Sequence, residues 1–454
     1  MRKLFFPRAL LADGWAEAVE MTVGDDGRIA KIESGAQPSP EAERLDGVAV
    51  PGIPNLHSHA HQRAIAGRGE RSGAGSDSFW SWREAMYTAV AGMDPDAFEA
   101  VATQLYIEML KAGFTAVGEF HYLHHDQDGT PYADRAEMAH RAVAAARAAG
   151  LPMTLLPVFY AASGFGGTPP TAGQCRFVHD LDGFQALTAD LRATYADADD
   201  VVVGIAPHSL RAVPARELQA LVAATPEGPI HIHIAEQTRE VDDCLDHTGH
   251  RPVAWLLENL PVDERWCLIH ATHVTPPEVA GMAARGCVVG LCPTTEANLG
   301  DGFFPAEDFQ RAGGRFGIGS DSHISVSPVE DLRWLEYGAR LTTRRRTVLA
   351  GGPERATGRM LLEAAATGGA QACGLEAGSL AVGRRADVVV LDDAHPLLAA
   401  RSGDALLDGW IFAGNAALVR HVCIAGRTVV RDGRHPLEEQ AARRFTSVLE
   451  RLFA

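Results

Sequence analysis

At 454 residues the chain is too long for one ordinary core and suits a barrel of roughly 250 residues or more with a smaller attached domain. Its 46% hydrophobic and 22% charged residues match a soluble globular protein and exclude the disordered and membrane classes. A formal charge of −17 repels nucleic acid over most of the surface, and the one basic run, Arg344, Arg345 and Arg346, reads as a solvated helix face.

The N-terminus, MRKLFFPRALLADGW, begins basic and apolar, but Pro7, Arg8 and Asp13 interrupt it before a signal-peptide core forms. No apolar run reaches the ~18 residues of a membrane span, so no membrane partner is expected and a cytoplasmic location follows. Residues 20–23 and 28–32, around a turn at 24–27, and then 47–50 predict a small β-unit. From Pro51 the texture changes to apolar runs alternating with amphipathic stretches, the pattern of parallel strands wrapped by helices. Strands are predicted at 50–56, 115–120, 153–159, 201–206, 230–234, 266–270, 288–292 and 316–320, with helices at 96–112, 135–149, 182–195 and 215–223 between them. After residue 361 come a helix, the segment 378–383 with glycine at both ends, the apolar run 386–391 and a strand pair around 419–430. The predicted class is α/β: a (β/α)8 TIM-like barrel over 51–361 beside a discontinuous β-sandwich built from both chain ends, 1–50 and 362–454. The seven cysteines are odd in number, scattered and without a CxxC pair, so they read as reduced core residues rather than a zinc site.

The first predicted barrel strand ends in Asn55-Leu56-His57-Ser58-His59. Residues i and i+2 of a strand face the same side, so both imidazoles can point into the barrel mouth and share one cation. Three more predicted strands end in polar groups: Ile230-His231-Ile232-His233-Ile234-Ala235-Glu236, Trp266 through His270, and Gly319-Ser320-Asp321. Active-site residues of such barrels sit at the C-terminal ends of the strands, and packing alone does not account for four such endings. His231 faces away from His233 and reads as buried; His61, His121, His124, His125, His273 and His323 read as structural, with His323 the best placed of them, just past Asp321.

The order H-x-H, H-x-x-E, H and S-D on successive strand ends resembles the amidohydrolase superfamily, as does the late segment GSLAVGRRADVVVL. The resemblance covers almost the whole chain. It implies that His57, His59, His233 and Asp321 bind a metal, and that Glu236 and His270 are the acid/base pair. Binuclear members use a modified lysine on the fourth strand, which the segment from Val201 to His208 lacks, so one metal ion per chain is expected. Zinc is the expected ion, although other divalent transition metals suit His/Asp sites. Zinc brings bound water to a pKa of ~7. Asp321 and His270 both qualify as the base that takes its proton, and Glu236 as the acid for a departing amine; the residue order does not divide these roles.

Four further segments, HSHAHQR (57–63), FWSWR (79–83), FHY (120–122) and APHSLRAV (206–213), are similar to superfamily members that deiminate N-formimino-L-glutamate in histidine degradation. This implies that Gln62, Arg83, Tyr122, His208 and Arg211 hold a small dicarboxylate amidine, and that the protein is a homodimer. Physical chemistry points the same way, since two carboxylates require fixed positive charge and guanidinium groups pair with them through two hydrogen bonds. The competing reading is an aminohydrolase of a purine, pterin or related ring, whose pocket would favour aromatic stacking and amide pairing over arginine. A non-enzymatic barrel scaffold would need neither the four ligands nor the acid/base pair.

Overall fold

The computed structural model describes residues 1–70, 86–87 and 90–454. The FWSWR segment, and with it Arg83, lies outside the described residues. Parallel strands form the barrel: β1 (Ile53–Ser58), β2 (Phe114–His121), β3 (Met153–Phe159), β4 (Val201–Val203, resuming as Ala206–Pro207), β5 (Ile230–Ile234), β6 (Trp266–His270), β7 (Val288–Leu291) and β8 (Arg315–Ile318). Ladders run from β1 through β4 and from β5 through β8. Parallel bridges Ile205 to Ile230, Ser209 to His233 and Ser58 to Asp321 close the ring. Leu56 fills the interior where Gly290 and Gly317 leave room; a Cβ on either glycine would come within 2.7 Å of its methyl groups.

The helices around the ring carry their own start and stop signals. The helix Pro95–Ala112 begins with Asp94 accepting from the Ala97 amide and Pro95 at its first position, and ends at Gly113 with φ of 105°. The predicted helices at 135–149, 182–195 and 215–223 are found as Glu137–Ala149, Leu181–Thr194 and Ala215–Ala223. The helix Thr357–Ala372 lies backbone-to-backbone on the barrel, because a Cβ on Gly368 would sit 1.9 Å from the Phe316 carbonyl oxygen and one on Gly369 2.9 Å from that of Pro54.

Both chain ends meet in one eight-stranded sheet. Its order is Arg427–Val430, Val419–Ile424, Val388–Leu391, Val48–Pro51, Arg2–Leu11, Gly14–Val23 and Ile29–Glu33, with Glu43–Arg44 paired alongside Arg2–Leu11. Alternation assigns each face: Val48, Val50, Val389 and Leu391 join the barrel-side core, whereas Ala49, Val388 and Val390 pack with Leu4, Phe6 and Met21 in a separate apolar cluster. Two sequence expectations change here. The apolar run read as a strand at 50–56 is split at Gly52, where a Cβ would meet the Thr115 side chain at 2.3 Å; Val48–Pro51 pairs with Val388–Leu391, and only Ile53–Ser58 belongs to the barrel. The first fifteen residues, read only as unfit for a signal peptide, supply the long strand Arg2–Leu11. We propose the two units as drawn from the sequence, with the whole helix Thr357–Ala372 kept with the barrel it packs on. Among the described residues no helix is long and apolar enough to cross a membrane.

Candidate functional site

The ends of β1, β5 and the chain just past β8 bring His57, His59, His233 and Asp321 together, all buried. Donor nitrogens of the three histidines lie within 4.8 Å of one another. His59 Nδ1 donates to the Phe120 carbonyl at 3.0 Å and His233 Nδ1 to the His208 carbonyl at 3.1 Å, so each Nε2 carries a lone pair into the site. His57 Nε2 stands 3.0 Å from His233 Nε2. Asp321 Oδ1 is 3.5 Å from His57 Nε2 and 3.3 Å from His59 Nε2. Ligands around a tetrahedral zinc at ~2.0–2.1 Å stand ~3.3 Å apart, so the donor set fits such an ion. Burial pushes the His57 imidazole down to about 3 and that of His233 well below its usual range, which keeps both neutral as ligation requires. Burial works against ionisation of Asp321, but the neighbouring His57 and His59 imidazoles hold it well below the usual carboxylate range. His57 Nδ1 is the exception to this support: it is buried without a hydrogen-bond partner among the described residues.

Beside this cluster, His270 Nε2 is 3.7 Å from Glu236 Oε1 and 3.8 Å from Asp321 Oδ2. Burial pushes Glu236 up to about 7, reinforced by Asp321 and opposed by His270. For His270, burial favours the neutral ring, but Glu236, the hydrogen bond to Glu296 and Asp321 together raise it to about 10. The backbone is strained around these groups. Ala235, His270, Ala271, Asp321 and His323 all have φ between 44° and 68°, a conformation that costs non-glycine residues about 1–3 kcal/mol each and that gathers at functional sites.

A cavity of about 60 Å³ opens over the cluster, lined by His59, His233, Glu236, His270 and Asp321 and also by Gln62, Tyr122, His208 and Arg211. Four of the five expected substrate contacts thus share one chamber with the metal and acid/base residues; the fifth, Arg83, lies outside the described residues. Gln62 sits in the short helix Ala60–Ile65, and its Nε2 donates to Tyr122 Oη at 2.8 Å. Its own Oε1 is buried without a hydrogen-bond partner among the described residues. The charge of Arg211 lowers the pKa of both Glu236 and Glu240. His231 points away, donating Nε2 to the Ala372 carbonyl at 2.8 Å.

Sequence reading missed several groups. Glu296, in the helix Pro293–Leu299, accepts His270 Nδ1–H at 3.2 Å; its only sequence signal is an acidic residue in the first turn of a helix that follows a barrel strand. Glu119 on β2 accepts from Ser58 Oγ at 2.6 Å and from the Ala60 amide at 2.7 Å, bracing the H-x-H turn. His323, singled out in the sequence for its place just past Asp321, accepts through Nε2 from the His59 amide at 3.2 Å, and its Nδ1 meets Ser320 Oγ at 2.9 Å. Tyr87, Tyr160 and Phe177 give the cavity aromatic walls.

Comparison with known proteins adds the following. Residues 48–429 match the Amidohydrolase family, and residues 1–46 match the N-terminal domain described as Formimidoylglutamate deiminase HutF. The chain is 55% identical over 453 residues to formimidoylglutamate deiminase of Pseudomonas aeruginosa, covering 100% of both chains. A crystal structure of an amidohydrolase from Brucella melitensis superposes with a TM-score of 0.95 at 50% identity, again over 100% of each chain. The zinc complex of atrazine chlorohydrolase TrzN from Arthrobacter aurescens TC1 superposes at 0.85 with 21% identity, over 99% of this chain and 100% of that one, a likeness of fold alone.

Proposed function

This chain belongs to the amidohydrolase family, and from that premise we propose that it hydrolyses N-formimino-L-glutamate to N-formyl-L-glutamate and ammonia. The observation that carries the reading is Arg211 in the wall of the same cavity as Glu236 and Asp321: a carboxylate-pairing cation within reach of an acid/base cluster. The aromatic walls would also suit a planar ring, so the substrate has to be decided by turnover. The deciding experiment measures ammonia release from N-formimino-L-glutamate, guanine and adenosine. The reading stands if the first has the highest kcat/KM and falls if either ring compound exceeds it.

His57, His59, His233 and Asp321 would hold one zinc ion. When bound, zinc supplies a water acidified toward ~7 and a positive field for negative charge that develops at the amidine carbon's new oxygen. The chain's own residues handle protons and position. Asp321, held ionised, accepts a proton from the attacking water. Glu236, with its pKa raised to about 7 by burial, can protonate the departing nitrogen near neutral pH, so that the C–N bond breaks and ammonia leaves. His270, its Nδ1–H given to Glu296, keeps Nε2 turned toward Glu236 and Asp321. Gln62, Tyr122, His208 and Arg211, with Arg83, grip the glutamate portion and orient the formimino carbon. The same reading includes a homodimer in the cytoplasm; light scattering at twice the 48.5 kDa chain mass tests the first, and fractionation tests the second.

A further inference from the structure

We propose a second, inhibitory site for a thiophilic divalent cation at the wall of the active-site cavity, formed by His270 and Asp321, which line it, and by Cys292, buried behind them. The three are buried, and a donor atom from each lies within 4.8 Å of the other two. The oxygens of Asp321 face different partners: Oδ1 faces His57 and His59, whereas Oδ2 lies 3.8 Å from His270 Nε2. Glu296 orients both remaining ligands, because Oε1 accepts His270 Nδ1–H at 3.2 Å and the Cys292 backbone N–H at 2.9 Å. A carboxylate behind a ligating imidazole fixes its tautomer and strengthens it as a donor. A mixed sulfur, nitrogen and oxygen set selects zinc or cadmium over magnesium or calcium. Ligand atoms around such an ion stand ~3.3–3.8 Å apart, so the three side chains close by about an ångström on binding.

Binding replaces the Cys292 thiol proton and the His270 Nε2 proton with the metal and releases both to solvent. It also occupies the His270 lone pair. Excess cation therefore inhibits turnover through Asp321 Oδ2 without displacing the ion held by His57, His59, His233 and Asp321 Oδ1. Only this consequence rests on the function proposed above.

The test adds cadmium chloride to the zinc-loaded enzyme and follows bound zinc and cadmium by equilibrium dialysis, the thiolate-to-cadmium charge-transfer band in the ultraviolet, and ammonia release. One further equivalent should bind with zinc retained, the band should appear, and activity should fall roughly tenfold or more. Cys292→Ala should match the parent without cadmium, show no band, and need roughly tenfold more cadmium for half-inhibition. Cys292→Ser, nearly isosteric, serves the same purpose if the alanine variant is unstable. The proposal is overturned if no further equivalent binds, if cadmium enters only as zinc leaves, if the band persists without Cys292, or if the site fills with activity unchanged. An enzyme that releases no ammonia from N-formimino-L-glutamate would sink the substrate reading, while dialysis and the band still decide the site.

Discussion

Neither Glu236 nor His270 keeps its ordinary protonation: burial raises the carboxyl to about 7, and three surrounding carboxylates raise the imidazole to about 10 against the pull of burial. Glu236→Gln and His270→Asn preserve shape and remove proton transfer. Each should retain the parental metal content and lose about 10²–10⁴-fold in kcat, measured by steady-state ammonia release beside metal analysis. A variant with near-parental kcat has been assigned the wrong role. Arg211 raises a separate question, binding rather than chemistry. Arg211→Ala should cost about 2–5 kcal/mol in kcat/KM for N-formimino-L-glutamate, and Arg83→Ala a similar amount, with metal content unchanged. Formimino-glycine, which lacks the side-chain carboxylate, should be a poor substrate for the parent and should lose less on removal of whichever arginine pairs with that group. Unchanged kcat/KM in both alanine variants would remove the arginine clamp from the account.

At the scale of elements, the barrel's geometry depends on close approaches that glycine permits. The helix Thr357–Ala372 rests on β1 and β8 through Gly368 and Gly369, and the nearest atoms to an added Cβ are backbone, which cannot swing aside. Overpacking of this kind costs typically about 1–3 kcal/mol, and a contact of 1.9 Å belongs at the upper end or beyond. Gly368→Ala should therefore lower the urea midpoint strongly. The neighbouring Thr367→Ala, on the exposed face, should stay within about 0.5 kcal/mol. Equal midpoints for the two would mean that the helix does not bear on β8 as described. Because β8 leads directly into Asp321, a shift of this helix would also be felt at the metal ligands.

The molecule as a whole couples a buried, like-polarity cluster to its stability. His57, His59, His233 and Asp321 come from three distant parts of the chain, and each is desolvated at the centre of the barrel. An ion that binds them in the native state and not in the unfolded chain stabilises the fold by about 4 kcal/mol at a thousandfold excess over its Kd. Removing it with a chelator should abolish ammonia release and lower the thermal midpoint, and added zinc should restore both. A stripped protein that stays fully active would refute the metal assignment. The terminal sheet contributes differently: Val48–Pro51 pairs with Val388–Leu391, so the segment leading into the barrel's first strand is tied to the chain that follows the barrel.

The sequence alone carried the periodicities and the ordered strand endings, because a strand's two-residue repeat is local and needs no partner to be read. His57 with His59, His233 with Glu236, His270 and Asp321 were legible in this way, as was the change of texture at Pro51. What local patterns cannot encode is which sheet a buried apolar run joins, since two-sided burial erases alternation. The run read as one barrel strand at 50–56 is therefore divided at Gly52 by its pairing, between the terminal sheet and the barrel. Nor does chain order reveal contacts made across the ring. Glu296 behind His270, Glu119 behind Ser58 and His323 behind His59 are joined by hydrogen bonds between residues 26, 61 and 264 positions apart, and only tertiary closure of the barrel brings those groups within reach of one another.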